Sequence, residues 1–192
     1  MKQFVFLYPI PQIMDFEIKN NSYGRNFKSY KTLYKKKLNE CIDLRYRQEG
    51  YKINYALFDD CSLSEIMDFK EKDRIIKVGL DFKVHTIKRE DDTYPYPSQD
   101  YILDQLGEVD RLIVTGFHMW DCVERLARRA YERNLDVLVD EDLTEFFPMR
   151  LRDKKFSPKK YPSFNPKEDG NDPYTKLFLA ARKDKPWLFQ NY

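Results

Sequence analysis

Along the chain, short apolar runs rich in β-branched residues alternate with stretches of helical period. Residues 3–8 (Gln-Phe-Val-Phe-Leu-Tyr) form a continuous apolar run that predicts a buried first strand, ended by Pro9 and Pro11. Residues 10–27 lack a period and hold the turn-forming Asn20-Asn21-Ser22-Tyr23-Gly24, so a loop is expected. Ser29 is placed to cap a helix with apolar positions Tyr30, Leu33, Tyr34, Leu38, Cys41 and Ile42, stopped by Gly50 after a polar turn at 45–49. A second strand is predicted at 52–58, a loop at 59–62, a short helix at 64–72 and short strands at 75–78 and 83–88. After a loop at 89–97, Ser98 caps a helix over 99–106 that Gly107 ends.

The stretch 110–147 carries the clearest pattern. Residues 112–115 are apolar and β-branched, which predicts a buried strand broken by Gly116. Val123, Leu126, Ala127, Ala130 and Tyr131 then recur at helical spacing over about 120–133, with Glu and Arg on the other face. Asn134 can close this helix in the left-handed conformation, and 135–139 is the next buried strand. A β-α-β unit of this kind implies a parallel sheet with right-handed crossovers.

The 192-residue length suits one full domain, and a chain 42% hydrophobic and 34% charged is ordinary for a globular protein. No run approaches the roughly 18 apolar residues of a membrane span, so no membrane partner is expected. The first residues are too short an apolar run for a signal peptide. Cys41, Cys61 and Cys122 have unrelated spacings, which gives no disulfide framework and points to a reducing, cytoplasmic setting. Eleven basic against five acidic residues after Phe147 give that segment a net charge of +6, leaving −4 on residues 1–147. Two parts follow: an α/β domain, 1–147, and a basic, aromatic extension, 148–192, punctuated by Pro158, Pro162, Pro166 and Pro173. A short helix is expected at 174–182. Trp187, Leu188, Phe189 and Tyr192 are too apolar for a free tail, so the extension is expected to dock on the domain or on a partner subunit. Lys154, Lys155, Lys159 and Lys160 with Phe156, Tyr161 and Phe164 have the residue types of a nucleic-acid contact, but neither net charge nor motif supports one, and none is expected.

Cys122 lies near a helix N-terminus, beyond the carboxyl end of the preceding strand, where sites of open α/β sheets gather. Helix N-termini lower thiol pKa values and offer backbone N–H groups to an oxyanion. A cysteine on a helix packed against a sheet is also an ordinary core residue.

Thr115-Gly116, five residues, then Cys122-Val123, followed by Ala127, Ala130-Tyr131 and 137–144 (Val-Leu-Val-Asp-Glu-Asp-Leu-Thr), resembles the isochorismatase-like cysteine hydrolase superfamily. The resemblance covers roughly residues 98–147. It implies a three-layer α/β/α fold with a central, mostly parallel sheet, self-association into a homo-oligomer, and hydrolysis of an amide or related small molecule by a cysteine nucleophile. It makes Cys122 the nucleophile and Lys88, at the end of a predicted strand, its supporting cation. Phe117, His118 and Trp120, in the loop before Cys122, are the expected substrate-binding residues. No cofactor is implied. The chain departs from the family on the first strand: where a catalytic Asp belongs it has Tyr8, Pro9 or Ile10. Asp15, Asp59 and Asp60 are the nearby acids that remain. Only His85 and His118 are available as histidine ligands, so no metal site is expected. The alternative is a catalytically inactive pseudoenzyme that binds a ligand or builds an oligomer.

Overall fold

The computed structural model describes residues 1–22, 24, 26–163, 165 and 173–191; Tyr23, Phe164, Pro166 and Tyr192 lie outside them. Strands β1 (Lys2–Leu7), β2 (Lys52–Leu57), β3 (Arg74–Lys77), β4 (Arg111–Gly116) and β5 (Asp136–Val139) form one sheet in the order β3-β2-β1-β4-β5. Every pair is parallel. On central β1, Phe4 lies between Ile53 and Ile113, and its continuous apolar run is what a strand covered on both faces requires.

Helices α1 (Pro11–Asn20) and α2 (Phe27–Ile42) join β1 to β2. A one-turn α3 (Phe82–His85) and α4 (Gln99–Leu106) lead from β3 to β4, and α5 (Glu124–Glu132) joins β4 to β5. The chain runs outward from β1 to β3, then returns and runs the other way through β4 to β5. Right-handed crossovers therefore put α1 and α2 on one face and α4 and α5 on the other, and these helices pack in those pairs. The result is a three-layer α/β/α arrangement around an all-parallel sheet.

Four local expectations are corrected. The stretch after β1 is a helix rather than a loop, because Pro11 occupies its first position, where a fixed φ helps and a missing N–H costs nothing. The cap of α2 is Asn26, whose Oδ1 accepts the Ser29 N–H at 3.1 Å; Ser29 is inside the helix. Residues 64–72 form turns instead of a helix, with the Asn39 side chain bonding the Ile66 carbonyl (2.7 Å) and the Asp68 N–H (2.8 Å). Residues 83–88 are not a strand. The Asp60 carboxylate accepts the Phe82 N–H at 2.6 Å and starts α3 there.

The β4-α5-β5 crossover leaves the α1/α2 face of β4 and β5 without a helix of its own. The chain after α6 (Phe147–Arg150) lies over it. Phe147 meets Tyr34 edge-on at 4.9 Å, and the Tyr161 hydroxyl donates to the Val139 carbonyl at 2.6 Å. Beyond α7 (Pro173–Ala180), Trp187 and Leu188 are buried, and the Trp187 carbonyl accepts the Val139 N–H at 2.8 Å, covering the outer edge of β5.

A buried ionic network fastens these parts. Arg45, in the π-helical turn Asp43–Arg47 after α2, donates from Nη1 to Asp140 (2.9 Å) and Asp142 (3.1 Å) beyond β5. Its other nitrogens donate to the carbonyls of Pro158 (2.8 Å) and Ser157 (2.9 Å). Arg150 donates to Asp142 at 2.9 Å, Tyr46 to Asp140, and Arg182 to Glu141. Burial pushes the Asp140 carboxyl pKa up, Arg45 opposes this, and Asp142 adds to it. Removing one partner leaves an uncompensated buried charge, so Asp140→Ala is expected to cost about 3–5 kcal/mol in denaturant unfolding. The paired replacement Arg45→Met with Asp140→Leu is expected to cost less than either single change. Additive losses in that cycle would show that the two charges do not depend on each other.

Candidate active site at the carboxyl end of the sheet

The strand order reverses between β1 and β4, so the crevice beyond their carboxyl ends is the topological switch point. A Cβ on Gly116, at φ +154°, would sit 3.0 Å from Leu7 Cβ and from the Leu7 carbonyl oxygen. It would also meet Val123 Cγ2 at 3.2 Å. Only glycine lets β4 end this close to β1 with the next turn folded back. That turn, Met119–Val123, is π-helical: the Val123 N–H donates to the His118 carbonyl at 3.2 Å, five residues back. Such turns recur at functional sites. Glu145 Oε2 accepts the Met119 N–H at 2.7 Å and caps its start.

Cys122 sits inside this turn, 9% exposed, with Sγ 3.8 Å from the His118 carbonyl oxygen, to which the neutral thiol donates. Burial pushes the thiol pKa up to about 12, and Asp121 and Glu145 add to it. The backbone N–H groups of Cys122 and Val123 pull the other way and do not win. Arg125, paired with Asp121 at 2.8 Å, is the cation that acts on the thiol, and it does not offset the burial.

Tyr8 stands at the end of β1. Its φ is +56°, the left-handed region that costs an L-residue roughly 1–2 kcal/mol. Its ring stacks on Phe58 at 4.5 Å, and its hydroxyl pKa is driven up by burial, then by Cys122, Asp121 and Tyr96. Tyr8, Tyr96, Asp121 and Cys122 thus form one electrostatic neighbourhood. Asp121 is itself engaged, accepting from the Tyr96 hydroxyl at 2.6 Å and from Arg125 Nε at 2.8 Å.

The other sequence candidates are not gathered here. Lys88 is on an exposed loop after α3, 3.4 Å from Asp92 and over the Tyr94 ring, and no strand ends there. The strand before β4 ends instead at Lys77. Its ammonium donates to the carbonyls of Cys61 (2.6 Å), Asp59 (3.2 Å) and Phe58 (3.3 Å), bracing the loop after β2. Phe117 is 3% exposed and packs on Phe6 at 5.3 Å, a core position. His118 is exposed, and Trp120, 42% exposed, faces the Lys185 ammonium at 5.9 Å.

The alternative acids are used elsewhere. Asp15 pairs with Lys31 at 3.1 Å, Asp59 accepts the Gly79 N–H at 2.9 Å, and Asp60 caps α3. His85 Nδ1 donates to the Pro95 carbonyl at 2.7 Å, with its ring stacked on Phe58. In the extension, Lys154, Lys155, Lys159 and Lys160 are exposed, while Phe156 packs on Phe147 at 6.0 Å and Tyr161 on Phe189 at 6.1 Å. Among the described residues no three His, Cys, Asp or Glu side chains group as metal ligands, and no helix is long and apolar enough to cross a membrane.

The carboxyl group at the site is one the sequence did not single out. Burial raises the Glu145 pKa to about 7, and Glu17 of α1, itself raised by burial, adds to this. A glutamate in a polar loop carries no such signal in a single sequence.

No protein-family model matches this chain, and no curated protein matches it. Two solved structures are similar to it. An N-carbamoylsarcosine amidase from Thermoplasma acidophilum superposes with a TM-score of 0.45 at 14% identity, over 94% of this chain and 92% of that one. A protein described as a Mar1 ribonuclease from Leishmania major gives a TM-score of 0.42 at 16% identity, over 96% of this chain and 93% of that one.

Glu145 yields a pH test. Its ordinary pKa of 4.5 is raised to about 7, so the fold favours the protonated form. The stabilisation is full below the ordinary value and is lost as pH rises through the raised one. Unfolding free energy is expected to fall by on the order of 2 kcal/mol across that window, and Glu145→Gln to remove this slope. An unchanged slope in Glu145→Gln would show that the carboxyl titrates normally.

Proposed function

We propose that this chain is a non-hydrolytic relative of the isochorismatase-like cysteine hydrolases, a small-molecule-binding α/β/α protein that keeps Cys122 but not the means to ionise it. One observation carries the reading: the end of β1, where the resemblance calls for a carboxylate at position 8, 9 or 10, holds a buried, backbone-strained Tyr8, Pro9 and Ile10, beside a thiol pushed up to about 12. A thiol of that pKa is ionised in about one molecule in 10⁵ at neutral pH, and the thiolate is the reactive form. Tyrosine and proline at 8 and 9 supply no base, and Lys88 is engaged with Asp92. Strain of the kind at Tyr8 gathers at ligand sites, which supports a retained binding role.

A second reading, an active hydrolase of an amide or related small molecule, draws on Glu145. A carboxyl of pKa about 7 that acts electrostatically on Cys122 has the value a general base needs at neutral pH.

Site-resolved alkylation with iodoacetamide, followed by mass spectrometry across pH 6–10, separates the two. The thiol pKa values are about 12 for Cys41 and Cys122 and about 11 for Cys61. The non-hydrolytic reading expects Cys61 to label first and Cys122 to lag without an inflection. Rapid labelling of Cys122 with an inflection near pH 7, abolished by Glu145→Gln, would replace it with the hydrolase reading.

A further inference from the structure

A second concave site lies at the opposite end of the sheet. Because all five strands are parallel, Tyr51 before β2 and Arg111 at the start of β4 share the amino-terminal edge, remote from the Cys122 end. Between them opens a cleft of about 360 Å³. Its floor is Ile113 and Leu138 of β4 and β5, the stretch of sheet that no crossover helix covers.

Two aromatic pairs contribute to its lining. Tyr46 and Tyr51 meet edge-on at 5.3 Å on the π-turn side, and Tyr161 and Phe189 of the extension meet edge-on at 6.1 Å. Two of these rings are held in place before any ligand arrives. The Tyr46 hydroxyl is bonded to Asp140 and the Tyr161 hydroxyl to the Val139 carbonyl. Fixed rings bind a planar partner at a low entropic cost.

The polar groups of the cleft divide by charge. Lys159 is exposed, and its ammonium makes no hydrogen bond or ion pair among the described residues. Arg111 is partly exposed and shares its guanidinium with Asp136 at 2.8 Å. The Lys2 ammonium lies 5.3 Å from the Tyr51 ring centre. Glu49 is the acid in the lining, and Arg45 is already committed to Asp140 and Asp142. Aromatic walls suit a base, Lys159 and Arg111 suit a phosphate, and the Glu49 carboxylate suits ribose hydroxyls as an acceptor. The volume is at the small end of ligand pockets, which run about 300–1,000 Å³, and so fits one nucleotide rather than a dinucleotide.

We infer that this cleft is a binding site for a nucleoside monophosphate, its base against the partly exposed Tyr51, Tyr161 and Phe189 rings and its phosphate on Lys159 and Arg111.

The test is calorimetric titration of the full chain with AMP, GMP, CMP and UMP, with adenosine and ribose 5-phosphate as the separated halves. At least one monophosphate is expected to bind at least tenfold tighter than either half. Lys159→Glu, at an exposed position where folding is not at stake, is expected to weaken it at least tenfold. Amide chemical-shift changes are expected around Tyr51, Ile113, Leu138 and Lys159, and Cys122→Ser is expected to leave binding unchanged. Failure of all four monophosphates to bind would overturn the inference. So would binding that Lys159→Glu leaves intact, or shift changes centred on Tyr8 and Cys122.

Discussion

The buried ionic network around Arg45 is the constraint on which the other features rest. Parallel sheets need both faces covered, and the β4-α5-β5 crossover supplies a helix to one face only. The other is covered by an extension that is poor in regular structure and punctuated by prolines. Its hold comes from charges with almost no access to water: Asp140 and Asp142 on Arg45 and Arg150, and Glu141 on Arg182. An ion pair this deep adds little net stability over an apolar substitute, but it strongly penalises any arrangement that separates the partners. That penalty fixes where the extension lies, and the extension in turn shapes the aromatic cleft.

Two groups of acids beyond the carboxyl end of the sheet have different partners. Beyond β5, each buried carboxylate meets a guanidinium. Around Cys122, burial raises the pKa values of Glu145 and Glu17, and at Glu145 the Met119 N–H and the Thr144 side chain oppose this without offsetting it. Burial and the neighbouring carboxylates leave the thiol protonated even with Arg125 close by. A helix N-terminus alone is a weak influence here, because the backbone N–H groups that favour a thiolate are outweighed by burial of the sulfur and by the neighbouring carboxylates. Position in the fold is therefore not enough to make a nucleophile. The charges packed around the position decide it.

Much of the architecture is legible in the sequence because the inner strands β1 and β4 are buried on both faces and so read as nearly unbroken apolar runs. The β4-α5-β5 unit, the Ser98 cap and the left-handed Asn134 at φ +60° all follow from local chemistry. What is not legible depends on partners distant in the chain. Pro9 and Pro11 read as a loop, yet Pro11 begins a helix. Val84 and Ile87 read as strand residues, yet both are exposed, and the turn they belong to is set by Asp60, more than twenty residues earlier. Lys88 reads as the end of that strand, and the structure places it on an exposed loop instead. Arg45 reads as part of a polar turn, and nothing local pairs it with Asp140 and Asp142, because a charge reveals burial only when its counter-ion is known.

Cys122 is a neutral thiol, held by burial and neighbouring carboxylates beside Tyr8. Direct titration of that thiol, followed by the Cβ chemical shift of labelled Cys122 from pH 5 to 11, tests this most directly. No thiolate transition is expected below about pH 10. A transition near or below pH 8 would contradict the claim and make Cys122 a competent nucleophile.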